Sequence, residues 1–138
     1  MKHHRKLQVR WDDLDAFGHV NNATYLTFIQ EARSDFFWFS RQRAGVEPLL
    51  ADMVVARAEV DFIEPIYHGG TEIDVAIAVV RLGTSSFELH YELSSDGVLH
   101  ATGRTVQVAV SMETKRSRPL SEEERAFLTQ YFVEISEG

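Results

Sequence analysis

The stretch that decides the architecture is Ala23-Thr24-Tyr25-Leu26-Thr27-Phe28-Ile29-Gln30-Glu31-Ala32-Arg33-Ser34-Asp35-Phe36-Phe37-Trp38-Phe39-Ser40-Arg41-Gln42-Arg43. Tyr25, Phe28, Ile29, Ala32, Phe36 and Phe39 recur at i, i+3, i+4, i+7 spacing, the period of one helix face. Asn21 or Asn22 is fit to cap the start, because an Asn side-chain oxygen can accept an orphan helix N–H. Gly45 is a good C-terminal stop. Phe36-Phe37-Trp38-Phe39 puts aromatics on every side of the last turns. Such a helix is expected to be buried on more than one face.

Around this helix the period is two. Gln8-Val9-Arg10-Trp11 reads as a short strand with Val9 and Trp11 on one face. Ala56, Ala58, Val60 and Phe62 alternate with Arg57, Glu59 and Asp61. Ile73, Val75, Ile77 and Val79 form a second apolar face, and Phe87, Leu89, Tyr91 and Leu93 a third. Val98 to Met112 is a longer strand, read with Val106, Val108, Val110 and Met112 on one side. One apolar face per strand is what an antiparallel sheet covered on one side produces. Asp96-Gly97 signals a hairpin. Ser121 with Glu124 forms a capping box for a terminal helix, whose stripe is Phe127, Leu128, Tyr131, Phe132 and Ile135. The order β, long helix, about four strands, helix is α+β: one antiparallel sheet of about five strands rolled around a long central helix, plus a C-terminal helix.

Composition bounds the function. The 138 residues carry 14 Lys+Arg against 21 Asp+Glu, a net charge of −7. Phosphate backbones need clustered cations, so nucleic acid is not an expected partner. No apolar run approaches the ~20 residues that cross a bilayer, so no membrane partner is expected either. The first residues lack the apolar stretch of a secretory signal, and a cytoplasmic protein is expected. There is no Cys, which removes disulfides, thiolate metal sites and cysteine nucleophiles together. G-x-S-x-G, H-E-x-x-H, P-loop and dinucleotide-binding signatures are absent. His3-His4 reads as a solvated N-terminal pair, and no cofactor or metal is expected. No break in the chain is long enough to be a linker, so residues 1–138 read as a single domain.

What remains is Asp12-Asp13-Leu14-Asp15-Ala16-Phe17-Gly18-His19-Val20-Asn21-Asn22, immediately before the long helix. One reading is a plain loop and cap, since Asx turns and helix starts favour Asp and Asn anyway. The other is acyl-transfer chemistry. Helix N–H groups favour developing negative charge and polarise a carbonyl oxygen placed on them. A carboxylate beside such a carbonyl can attack it or deprotonate a water.

The run D-x-D-x-x-G-H-V-N-N-x-x-Y, followed by Glu31-Ala32-Arg33, resembles the hotdog-fold acyl-CoA thioesterases of the 4-hydroxybenzoyl-CoA thioesterase superfamily. It looks closest to their bacterial long-chain acyl-CoA branch. Val60-Asp61-Phe62 with Pro65, Gly69 and Gly70 resembles the family's second and third strands, and Pro119 to Arg125 its closing segment. The resemblance implies a hotdog fold and hydrolysis of an acyl-CoA thioester. It places the catalytic carboxylate on Asp15 and a loop-fixing carboxylate on Asp13. Asn22 becomes the residue whose helix-terminal N–H meets the thioester oxygen. Gly18 permits close backbone approach to the substrate. His19 and Asn21 can orient water or Asp15, and His19 can equally be a packed, hydrogen-bonded histidine. Tyr25, one turn into the helix, is either a substrate contact or core. Asn21-Asn22-Ala23 stands where the benzoyl-type enzymes carry an aromatic and a Pro, which favours an aliphatic acyl chain. The candidate pocket residues are Leu26, Ile29, Phe36 to Phe39, Val54, Ala56 and Ala58. Glu31 is an alternative carboxylate.

Lys115, Arg116 and Arg118 form a basic cluster that suits either a CoA phosphate clamp or a solvated strand end. Unpartnered sheet edges and the apolar surface of Phe36 to Phe39 imply a homodimer or homotetramer. Two alternatives remain at this stage: an aromatic acyl-CoA thioesterase, and a non-hydrolytic hotdog protein or dehydratase that binds acyl thioesters.

Overall fold

The computed structural model describes residues 1–134. Five strands form one antiparallel sheet in the order β1-β3-β4-β5-β2: β1 (His3–Gln8), β2 (Met53–Phe62), β3 (Glu72–Leu82), β4 (Ser86–Ser95) and β5 (Val98–Ala109). The helix α1 (Asn22–Ser34) continues through a π turn at Asp35–Phe39 into α2 (Ser40–Arg43), and α3 (Glu122–Thr129) closes the fold. This is the hotdog arrangement that the resemblance implies. Ile135, the last member of the terminal stripe, lies outside the described residues. No described helix is long and apolar enough to cross a membrane.

The inward faces of β3 and β4 are those read from the alternation. Ile73, Val75, Ile77, Val79, Phe87, Leu89, Tyr91 and Leu93 are all fully buried. Asp96 and Gly97 both take positive φ (46° and 79°), the backbone of a tight two-residue hairpin. Ser121 and Glu124 complete the capping box of α3.

Three sequence expectations are corrected. The first strand is His3–Gln8, not Gln8–Trp11. Val9 stays buried, but the Asp13 carboxylate accepts the Arg10 N–H at 2.7 Å and the Arg10 guanidinium at 3.0 Å. The chain turns there, and Trp11 is left 81% exposed. His3 is accordingly not solvated: it sits in β1 with Nε2 2.9 Å from the buried Asp35. In β5 the faces are opposite to the expectation. Ala101, Gly103, Thr105, Gln107 and Ala109 are buried toward the helix, and Val106 and Val108 are half-buried on the other face. The cause is proximity: a Cβ on Gly103 would meet Ile29 Cδ1 at 2.7 Å, so α1 crosses β5 where larger residues do not fit. In β2, a bulge between Val55 and Arg57 shifts the register. Val54 therefore pairs with Val108 on the outer face, and Ala58, Val60 and Phe62 pair with the helix-side residues Thr105, Gly103 and Ala101.

The third correction concerns the end of the helix. Phe36 and Phe37 are buried, but Trp38 is 39% and Phe39 50% exposed. In the π turn the Ser40 N–H bonds back to the Asp35 carbonyl, and the extra residue per turn lets two consecutive Phe face the core. Phe36 packs on Phe127 and Tyr131 at ring distances of 5.0 and 4.8 Å. Burial of each such ring is worth about 2 kcal/mol. The same turn draws Asp35 inward, where His3 and Arg43 bind its two oxygens.

Candidate active site

The loop before α1 is a tight hairpin held by its own backbone. Leu14 and Val20 pair as an antiparallel bridge, and the Asp15 N–H donates to the His19 carbonyl at 2.9 Å. Gly18, at φ +82°, supplies the left-handed residue at the tip. Asp13 is buried and bound to Arg10, which matches its loop-fixing reading. Asp15 is half-buried, its side chain 23% exposed. Asp15 Oδ1 accepts the Phe17 N–H at 2.8 Å, and Oδ2 stands 3.9 Å from His19 Nδ1.

The Val20 N–H donates to the Ile66 carbonyl and the Asn21 N–H to the Asp13 carbonyl, which anchor the entry to α1. Asn21 is the N-cap: its Oδ1 accepts the Ala23 N–H at 2.9 Å. This side-chain oxygen is committed to the helix and is not free to orient water. Asn22 is the first helical residue, so its N–H is one of the donors a helix start leaves without an internal partner.

A cavity of about 110 Å³ opens at this point, lined by His19, Asn22 and Tyr25 on one side and Phe62, Ile63 and Glu64 on the other. The structure thus brings His19, Asn22 and Tyr25 together, with Asp15 next to them through His19. Gly18 and Asn21 do not line the cavity and act on its frame. Tyr25 is buried and edge-on to Phe62 at 5.1 Å. Burial raises its phenol above the ordinary range, against a hydrogen bond with the Ile66 backbone that lowers it. It enters the site as a neutral wall. Phe17 stacks on His19 at 6.3 Å and Tyr67 meets it edge-on at 6.5 Å, so the imidazole is flanked by two exposed aromatics. Glu64 and Tyr67 were missed in the sequence. They follow β2 in a loop that long-range contacts, such as the Val20 N–H donating to the Ile66 carbonyl, carry to the helix start. Glu31 is exposed on the helix, outside the lining of this cavity.

The thioesterase-like superfamily pattern matches residues 9–128. The chain belongs to this superfamily. A 1,4-dihydroxy-2-naphthoyl-CoA hydrolase of Rippkaea orientalis is 30% identical over 125 residues, covering 83% of this chain and 86% of that protein. Among solved structures, a predicted thioesterase from Bacillus stearothermophilus superposes with a TM-score of 0.86 at 25% identity, covering 99% of this chain and 100% of that one. A thioesterase from Thermus thermophilus, complexed with coenzyme A and Zn, gives a TM-score of 0.76 at 34% identity, covering 93% and 92%. This thioesterase is accordingly a thioester hydrolase. Among the described residues, no group of three or more His, Asp or Glu could hold a metal ion.

The basic cluster of the thioesterase is divided. Arg118 grips Glu124 with both terminal nitrogens, at 2.8 and 2.9 Å. That contact pushes Arg118 up and holds Glu124 below its ordinary value. Only Lys115 and Arg116 are left to meet a phosphate there.

Proposed function

We propose that this chain hydrolyses acyl-CoA thioesters bearing an aliphatic acyl chain, with Asp15 as the essential carboxylate. The observation that carries the reading is the meeting of the α1 N-terminus, through Asn22, with His19 at one small cavity, with the Asp15 carboxylate 3.9 Å from the His19 ring nitrogen. The Asn22 N–H and the helix dipole polarise the thioester carbonyl and stabilise the tetrahedral oxyanion. Asp15 either attacks the carbonyl carbon, giving a mixed anhydride and expelling the CoA thiolate, or deprotonates a water that attacks. His19 positions the carboxylate or that water. Gly18 and Asn21 hold the loop and the helix start in register, and Tyr25 walls the reacting end. A single turnover in ¹⁸O-labelled water tests for direct attack: water that opens the anhydride at the Asp15 carboxyl carbon leaves label on Asp15, which general-base catalysis never does.

The aliphatic assignment rests on a second cavity. About 310 Å³ of space lies beside the far part of the helix, walled by Phe37, Trp38, Phe39, Leu49 and Met53. It begins at Arg33, about 16 Å along the helix axis from Asn22. A flexible chain can cover that distance, and each methylene buried on the way is worth about 0.8 kcal/mol. A bicyclic aromatic acyl group held at Asn22 does not reach it. The CoA complex of the Thermus relative supports CoA as carrier. The aromatic reading is favoured by the 1,4-dihydroxy-2-naphthoyl-CoA hydrolases among the relatives. Values of kcat/KM across a saturated acyl-CoA series, measured beside hydroxyaroyl-CoA, decide the matter. A rise with chain length supports the aliphatic reading, and a flat series with a preferred aroyl substrate overturns it.

The working unit we propose is a single-domain protomer that pairs through β2. This strand is a ten-residue edge with Val54, Val55 and Phe62 each 43–50% exposed. An edge of that length and apolarity invites pairing with another strand. Its end, at Phe62 and Ile63, lines the cavity at Asn22, so dimerisation would close the site.

A further inference from the structure

Resting on that hydrolase reading, we infer that Arg33 is a specificity-determining residue, and that the acyl chain carries an oxygen function in its distal half. Arg33 lines the 310 Å³ cavity, whose other walls are dominated by aromatic and aliphatic side chains. It has no carboxylate within ion-pair distance among the described residues. Its Nη1 donates at 3.4 Å to the hydroxyl of Tyr91, which is fully buried on the sheet beneath. A half-buried guanidinium without a counter-charge is costly unless something else accepts its hydrogen bonds.

The groups behind it form a relay. Tyr91 Oη is 2.7 Å from Thr105 Oγ1, and Thr105 Oγ1 in turn accepts from Gln107 Nε2. Gln107 is completely buried, and its Oε1 has no partner. Turning the amide over would leave Nε2 unpartnered in its place. None of the hydrophobic positions of β5 requires these groups, and plain burial of Thr105 and Gln107 would favour apolar side chains instead. The arrangement makes sense as support for a donor. Tyr91 holds one edge of the guanidinium and leaves the remaining N–H groups for an acceptor in the cavity.

The acceptor class follows from the fork of donors: a hydroxyl, an oxo group or a terminal carboxylate on the acyl chain. Arg33 stands eleven residues beyond Asn22, so the oxygen belongs far from the thioester. A plain alkyl chain would strip water from the guanidinium and return nothing to it.

The test uses acyl-CoAs of one chain length: the saturated parent, distal hydroxy, oxo and carboxy derivatives, and a derivative oxygenated beside the thioester. Wild-type kcat/KM should favour at least one distally oxygenated substrate over the parent by about tenfold or more, the worth of a hydrogen bond to a charged group. In Arg33→Met that ratio should fall to about unity, and in Arg33→Lys it should partly recover. Tyr91→Phe, which keeps the ring, should lower the ratio by about threefold. A wild-type ratio near one, a preference only for oxygen beside the thioester, or an unchanged ratio in Arg33→Met overturns the inference. So does conversion of Arg33→Met to monomers, which would make Arg33 an interface residue. Calorimetric binding of the corresponding free acids to wild type reads the same preference without turnover. If no thioester is cleaved yet the oxygenated acid binds more tightly, the hydrolase reading fails and this one stands.

Discussion

Asp15 Oδ2 stands 3.9 Å from His19 Nδ1 while Asp15 Oδ1 accepts the Phe17 N–H, so one oxygen of the carboxylate fixes the hairpin and the other is left toward the imidazole. The substitution Asp15→Asn separates these two jobs. The amide oxygen can still accept from Phe17, so the loop should hold. The charge that attacks or accepts a proton is gone. We expect kcat to fall by about a hundredfold to ten-thousandfold, with an unchanged circular dichroism spectrum and thermal midpoint. Retention of most activity in the purified variant would remove Asp15 from the reaction.

The crossing of α1 over β5 gives a prediction about stability. A Cβ on Gly103 would meet Ile29 Cδ1 at 2.7 Å, with the Glu59 carbonyl at 3.4 Å and a Tyr91 ring carbon at 3.6 Å. Ile29 is 1% exposed and has little room to yield. Gly103→Ala should therefore cost about 1–3 kcal/mol as overpacking. Ile29→Val removes the colliding methyl and alone costs about 0.5–1.5 kcal/mol. The double variant should be more stable than the sum of the two by about 1 kcal/mol, read from urea midpoints. Additive losses would mean that the helix does not cross the sheet at this contact.

That crossing also shows how far the sequence could be read. The alternation in β3 and β4 gave their buried faces directly, because those strands bear large apolar residues on one side only. In β5 the same rule pointed to the wrong side. A helix lying close over the strand demands Ala, Gly and Thr beneath it, and the valines are left for the outer face. The π turn was equally hidden: Phe36 and Phe37 are both buried because the helix gains a residue there, which no periodicity announces. At the candidate site, the loop and cap that carry Asp15, His19 and Asn22 were legible because they form one contiguous run. Glu64 and Tyr67 were not, since the contact between Val20 and Ile66 that brings them in is long-range. Arg33 was visible only as part of Glu31-Ala32-Arg33. Its importance depends on Tyr91, Thr105 and Gln107, three residues on two strands far along the chain.

Association through β2 predicts a dimer at micromolar concentration by light scattering. Val55 pairs with Gln107 within the sheet and is 43% exposed. Val55→Lys puts a charge at the proposed junction and should shift the population toward monomer, because edge lysines disfavour strand pairing. Activity should fall in step, since Phe62 and Ile63 line the cavity at Asn22. A wild-type monomer of full activity would overturn the pairing and the closure of the site with it.

Acid should destabilise the fold in two stages. Burial holds His3 below its ordinary value, outweighing the raising effect of Asp35, and burial likewise lowers His90 against the pull of Glu92. Below about 6.5, the ordinary histidine value, the unfolded chain therefore takes up protons more readily than the native one. The stability these neutral histidines permit is fully present above that pH and is lost as pH falls toward their native values. The second stage comes from Glu92 and Glu124, held below the ordinary carboxylate value chiefly by hydrogen bonds from Lys2 and Arg118. Their contribution is present above the ordinary glutamate value and disappears as pH drops through their native ones. Urea unfolding should thus show a lower midpoint at pH 5.5 than at pH 7.5 and a further drop toward pH 3.5, pH values chosen about the ordinary His and Glu ranges. His3→Gln, which can still donate to Asp35, should shrink the first stage to the share carried by His90 and leave the second. A midpoint that rises between pH 7.5 and 5.5 would show that the Asp35 ion pair, and not burial, governs His3.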